Sequence, residues 1–173
     1  MIRLGYDFFN RDTCTVAKEL LGQKLFCNNK TGIIIETEAY IGENDPACHA
    51  SRGRTPRTEV MYGKAGITYV YLIYGMYHCL NIVTENQGFP AAILIRGVVS
   101  EDNQLHDGPG KLCKYFDINI AHNITDITES SDLYIEQITK KDKIKFSSSP
   151  RIGISKGKDK LWRYILDTST LLS

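Results

Sequence analysis

Most apolar positions in this chain fall into short β-like runs, and only two stretches read as helix. Val16, Leu20 and Leu21 lie at helical intervals within Phe8 to Leu21, where Asn10 or Asp12 can cap the start and Gly22 the end. Pro109 to Tyr115 predicts a short helix with Pro109 in its first turn. Lys24 to Cys27 reads as a short strand, followed by a turn over Asn28 to Gly32. Ile33 to Tyr40 is rich in β-branched residues and predicts a second strand. Gly66 to Ile73 and Tyr77 to Thr84 predict two more, joined through Tyr74-Gly75-Met76 as a hairpin candidate. Ala91 to Val99, Leu133 to Ile138 and Ile152 to Ser155 complete the predicted strands. Gly42 to Arg57 reads as a long loop with room for one helical turn, and Ser147 to Pro150 as a second loop. A loop as long as the first is usually functional in a compact domain. There is no internal repeat and no regular alternation of helix and strand, so the expected class is α+β (mixed). A length of 173 residues fits one domain spanning 1–173.

Two of these strands carry candidate chemistry. Alternation along Ile33 to Tyr40 predicts Ile34, Glu36, Glu38 and Tyr40 on one face, with Ile33, Ile35, Thr37 and Ala39 on the other. Two carboxylates so placed stand roughly 7 Å apart and can perturb each other's pKa in a dry site. The plain alternative is a solvated strand end. On the hairpin, Tyr69, Tyr71 and Ile73 share one face, and Val70, Leu72 and Tyr74 the other. Strand aromatics commonly form core. Tyr74 differs, because it sits beside Gly75 at the predicted tip, where an aromatic can wedge between stacked bases. Tyr40 and Tyr71 can sandwich a planar, electron-poor ring, with cation–π attraction if the ring is charged.

Composition narrows the setting. The chain is 42% hydrophobic and 24% charged, which is ordinary for a globular protein, and no apolar run approaches a membrane span. The opening Met1-Ile2-Arg3-Leu4-Gly5 lacks a signal-peptide core, so the expected location is the cytoplasm. The five cysteines (Cys14, Cys27, Cys48, Cys79 and Cys113) are odd in number and never Cys-x-x-Cys, which argues for reduced, mostly buried thiols rather than disulfides or a zinc ribbon. A net charge of +1 predicts no nucleic-acid partner by itself, but a local basic face suffices to bind one. The densest such stretch in the first half is Cys48 to Arg57, with His49, Arg52, Arg54 and Arg57; it is able to hold phosphates, or is simply solvated. Lys140-Lys141-Asp142-Lys143 and Lys156-Gly157-Lys158 read as solvated charges. His49 has no second His or Cys at ligand spacing.

The order of these motifs resembles the alkyladenine (3-methyladenine) DNA glycosylases. The resemblance is carried by Ile35 to Tyr40, Asp45 to His49, Arg52 to Arg57, Tyr69 to Tyr77 and Cys79-Leu80-Asn81. It continues through Ile93 to Arg96, Gly108 to Leu112 and Pro150 to Ile154. It covers nearly the whole chain and is of the bacterial type, without an extra N-terminal region. It implies one mixed α/β domain with a curved antiparallel sheet, surrounding helices and a hairpin entering the DNA minor groove. It implies a monomeric, monofunctional base-excision repair enzyme without metal or cofactor. Such an enzyme flips a damaged purine from duplex DNA and hydrolyses its N-glycosidic bond, leaving an abasic site. By the same resemblance Glu38 is the general base that activates water and Arg96 helps hold that water. Tyr40, Ala47, His49, Tyr71 and Asn81 form the base pocket, with Asn81 crowding the amino group of guanine. Tyr74 is the wedge, and Met76 and Tyr77 are its neighbours in the groove. Arg52, Arg54, Arg57 and Lys111 are expected on the phosphates. Glu36 is expected to be structural, paired with an arginine. Two departures stand out: Cys48 occupies a position where members often carry another small residue, and the chain from Asp167 to Ser173 lacks a glycine-containing end. A backbone carbonyl near the chain's end helps position the water in the family.

The bond chemistry agrees. Hydrolysis at C1′ builds positive charge on the sugar, which a carboxylate stabilises, and needs an activated water. Poor pairing of a damaged base lowers the cost of flipping it. An alkylated purine is already charged and leaves readily, whereas hypoxanthine needs protonation, and no acid is evident for that step. Two other classes compete. A carbohydrate glycosidase built on Glu36 and Glu38 is disfavoured, because retaining pairs stand ~5 Å apart and usually come from different elements. A module that stacks bases on Tyr71 and Tyr74 without cleavage would need no buried glutamate.

Overall fold

The computed structural model describes residues 2–138 and 144–169. Lys140, Lys141, Asp142 and Lys143, and the last residues of the chain's unusual end, lie outside the described residues. One antiparallel sheet organises the molecule. Its strands are β1 (Ile2–Arg3), β2 (Lys24–Cys27), β3 (Lys30–Ile41), β4 (Thr68–Ile73), β5 (Tyr77–Val83), β6 (Ala91–Ser100), β7 (Leu105–Asp107), β8 (Leu133–Gln137), β9 (Phe146–Ser149) and β10 (Arg163–Leu166). The helices are α1 (Tyr6–Phe9), α2 (Thr13–Leu20) and α3 (Pro109–Phe116). The main strand order is β1-β8-β2-β3-β6-β5-β4. The long strand β3 pairs with β6 along one side; on the other it pairs with β2 over its first half and β10 over its second. The sheet curls into a half-barrel, and the fold is α+β.

The expected single helix from Phe8 to Leu21 is two. The chain bends after Phe9, and the Asp12 carboxylate caps α2 by accepting the Thr15 N–H at 2.8 Å. Val16, Ala17, Leu20 and Leu21 are fully buried, and α2 packs on β3. On the same side α3 packs on β5 and β6, burying Leu112 and Phe116.

Three strand expectations need correction. Ile152 to Ser155 is loop: Gly153 has φ +72°, and the Ile152 N–H is spent on a side chain rather than on a ladder. The serine run expected as loop is β9, held by backbone pairing with β10, which periodicity did not flag. β3 starts at Lys30, inside the predicted turn, because only Asn28 and Asn29 turn the chain, at φ +51° and +61°. The face assignment within β3 also breaks. The β3–β6 register shifts on both sides of Glu36, leaving Ile35 unpaired on β3 and Arg96 unpaired on β6. Ile34 and Ile35 are therefore both buried in the core, while Glu36, Glu38 and Tyr40 turn to the opposite side.

Candidate active site

The second half of β3, with β4, β5 and β6, forms the floor of a cavity of about 580 Å³. Tyr40, Ala47, His49, Tyr71, Asn81 and Arg96 all line it, so the structure gathers every expected pocket residue into one place. The loop after β9 supplies Ile152, Gly153 and Ile154 as another part of the wall, and Pro109 at the start of α3 borders it.

Glu38 is fully buried and is not among the lining residues; it lies behind the wall. One oxygen accepts from Arg96 Nη1 at 3.1 Å, with the Tyr40 hydroxyl at 3.5 Å, and the other accepts the Ile152 N–H at 2.8 Å. Burial pushes the carboxyl above the usual glutamate range; Arg96 and the Ile152 N–H oppose this, and Glu36 adds to it. Glu36 is paired with arginines, as expected of a structural residue. Its Oε1 accepts from Arg96 Nε at 3.1 Å and from Arg163 Nε at 2.5 Å. Arg96 thus bridges the two glutamates, and its unpaired position in the ladder lets one guanidinium reach both.

The aromatic walls brace one another. The His49 ring lies 4.7 Å from Tyr71 and 5.9 Å from Tyr69, and its Nδ1 is 2.9 Å from the Tyr69 hydroxyl. Tyr69 and Tyr71 meet edge to face at 5.1 Å. Burial of its inner side, with Arg57 and Arg52 nearby, holds the His49 pKa below the usual histidine range, so the ring is neutral near neutral pH. Asn81 donates to the Tyr69 carbonyl at 3.1 Å, which fixes its amide at the cavity edge. Tyr69, Met61, Cys79 and Leu94 also line the cavity and were missed as site residues. For Tyr69 the signal was available, since it shares a strand face with Tyr71. Cys48 does not itself line the cavity; it packs with Met61, which does, and with Tyr62 in a small second core.

The hairpin tip stands beside this cavity. Tyr74 is 89% exposed and holds φ +51°, with Gly75 at +65°; the Met76 N–H closes the turn on the Ile73 carbonyl at 3.1 Å. A bulky residue with positive φ and a bare aromatic side chain is unfavourable twice over, which points to function. Met76 is exposed, and Tyr77 is half-exposed. Gly110 lets α3 approach Tyr77: a Cβ there would stand 2.9 Å from its ring.

The basic residues divide. Arg57 lines the cavity, with its guanidinium 5.2 Å from the Tyr71 ring, and Arg52 is exposed without an ion-pair partner among the described residues. Arg54 makes two 2.6 Å bonds to Glu59, and Lys111 lies 2.6 Å from Asp107, so each is already paired. The five cysteines are free, four of them buried.

Comparison with known proteins identifies the family. The family model for methylpurine-DNA glycosylase matches residues 7–170. A Rickettsia rickettsii protein named "Putative 3-methyladenine DNA glycosylase" is 56% identical over 100% of this chain and 95% of its own length. Proteins of the same name from Rickettsia felis and Rickettsia bellii are 56% and 45% identical, over 96% of this chain and 94% and 93% of their own lengths. The chain belongs to the methylpurine-DNA glycosylase family, hydrolases that act on N-glycosyl bonds in DNA.

Proposed function

We propose that this protein flips an alkylated or deaminated purine out of duplex DNA into the Tyr40–His49–Tyr71 cavity and hydrolyses its N-glycosidic bond, leaving an abasic site. The observation that carries the proposal is a buried glutamate, fixed by Arg96 and Ile152, directly behind an aromatic cavity that opens beside an exposed tyrosine. Tyr74 fills the gap left by the flipped nucleotide, flanked by Met76 and Tyr77, and Arg52 and Arg57 take phosphates at the rim. Aromatic faces suit a cationic purine, and a neutral His49 avoids repelling it. Glu38 activates the attacking water and stabilises the cationic sugar, with Arg96 orienting both. The enzyme acts as a cytoplasmic monomer and needs no cofactor for this step.

The full burial of Glu38 favours one second reading, a module that binds damaged DNA without cleaving it. Single-turnover release of base from duplexes carrying hypoxanthine, ethenoadenine or a methylated purine separates the two. Release by the wild type and not by Glu38→Gln supports the enzyme. Tight binding with no release from any lesion sinks it.

A further inference from the structure

Asp45 and Arg151 lie 106 residues apart and meet in a fully buried pair, with contacts of 2.6 and 2.8 Å between guanidinium and carboxylate. Neither lines the cavity. A buried pair recovers little more than its desolvation cost, so stability alone is a weak reason for it. Arg151 Nε is moreover buried without a hydrogen-bond partner among the described residues, a further cost. What a two-pronged pair does well is fix geometry.

The pair is tied to three parts of the site. Asp45 accepts the N–H groups of Ile41 and Ala47, each at 3.1 Å, which anchors Ala47 to the end of β3. Arg151 donates to the Ala39 carbonyl at 2.9 Å and to that of Gly157 at 3.5 Å. Its guanidinium lies 4.7 Å from the Tyr40 ring centroid and 5.1 Å from that of Trp162. The next residue, Ile152, gives its N–H to Glu38.

We propose that Asp45 and Arg151 are positioning residues that hold the Tyr40 ring and aim the Ile152 N–H at Glu38, and so govern the rate of base release without touching the substrate. This rests on the glycosylase reading above. The groups facing Glu38 are Arg96 from β6, Cys79 from β5, Glu36 and Tyr40 from β3, and Arg151 with the Ile152 N–H from the loop after β9. Burial raises the Glu38 pKa, and Arg96 and the Ile152 N–H hold it down. Loss of the Ile152 contact therefore moves the acidic limb of the rate to higher pH.

The test is the double variant Asp45→Asn with Arg151→Gln, which leaves no buried ion unpaired. Single-turnover release from an ethenoadenine or methylpurine duplex is followed against pH, with thermal unfolding, duplex affinity and emission of Trp162, the single tryptophan, measured alongside. The expected result is a folded protein with duplex affinity within a few-fold of wild type, base release slower by about 100-fold, an acidic limb displaced upward and altered Trp162 emission. A folded variant whose rate and limb match the wild type overturns the proposal. Arg151→Lys is the second arm, keeping charge but losing the fork and the flat stacking face. It should remain slow and move the limb in the same direction, by less than the double variant because the charge beside Glu38 is kept; if the double variant does not fold, a wild-type rate in Arg151→Lys overturns the proposal. No release by the wild type from any lesion sinks the glycosylase reading instead. In that case Trp162 emission in Asp45→Asn, which leaves the guanidinium chemically intact, decides: unchanged emission overturns the positioning role, and altered emission in the folded variant supports it.

Discussion

Ile152 donates its backbone N–H to Oε2 of Glu38 at 2.8 Å, across 114 residues of sequence. A strand residue and a loop near the other end of the chain thereby share one carboxylate, and Arg96 holds its second oxygen. The carboxylate is kept rigid, and its pKa sits above the usual glutamate range because burial outweighs both donors.

Base release should therefore fall as the pH drops through a Glu38 pKa higher than an ordinary glutamate's, because only the ionised form accepts a proton from water. Glu38→Gln should slow release by about 10²–10⁴-fold and abolish that limb while duplex binding persists. Single-turnover rates against pH measure both effects, and unchanged excision in the variant removes Glu38 from the role of base.

Tyr74→Ser should weaken binding to lesion-containing duplex by about 1–3 kcal/mol, the value of one base–aromatic stack. Tyr74→Gly should weaken it similarly without lowering the melting temperature, because glycine accepts the φ of +51° that tyrosine holds under strain. Equal affinities for wild type and both variants would show that Tyr74 is no wedge.

Phosphate contacts should follow pairing rather than charge count. Arg52→Ala and Arg57→Ala should each reduce the slope of log affinity against log salt by about 1. Arg54→Ala and Lys111→Ala should change it less, since Glu59 and Asp107 already pair those side chains. Titrations of a lesion duplex at several salt concentrations give the slopes, and four equal effects would refute the division.

Gly110→Ala should destabilise the protein by about 1–3 kcal/mol through overpacking, because the added carbon would meet Tyr77 at its Cδ1 and Cβ, 2.9 and 3.2 Å away. The displaced Tyr77 should also weaken duplex binding. Thermal unfolding and affinity measured together check the linked loss.

Asp45→Asn should cost about 3–5 kcal/mol at neutral pH by leaving Arg151 buried without its partner charge. Burial raises the Asp45 pKa, but Arg151 and two backbone N–H groups outweigh it and hold the carboxyl below its usual range. The carboxylate's stabilisation is thus complete above the ordinary carboxyl pKa and is lost as pH falls through the lower folded value. Denaturant unfolding should show wild type and variant converging in acid; a constant gap would contradict the pair's role in stability.

Local pattern alone determined much of this protein. The β-branched runs marked β3 and β6, the Tyr-Gly tip marked the hairpin, and Pro109 marked the start of α3, because these depend on propensity and turn chemistry between near neighbours. The motif order brought Tyr40, His49, Tyr71, Asn81 and Arg96 forward as one set, and the fold gathers them around one cavity. Only tertiary structure decided the rest. The shifted register at Glu36 depends on how β3 meets β6, so alternation along β3 could not reveal that Ile34 leaves the glutamate face. The serines of β9 are a strand because β10 lies beside them, and Ile152 is not because its N–H is taken by Glu38. The Asp45–Arg151 pair spans 106 residues, and neither residue carries a local sign of its partner. Contacts between distant segments depend on the whole chain having folded, and the placement of Glu38 behind the cavity wall belongs to that class.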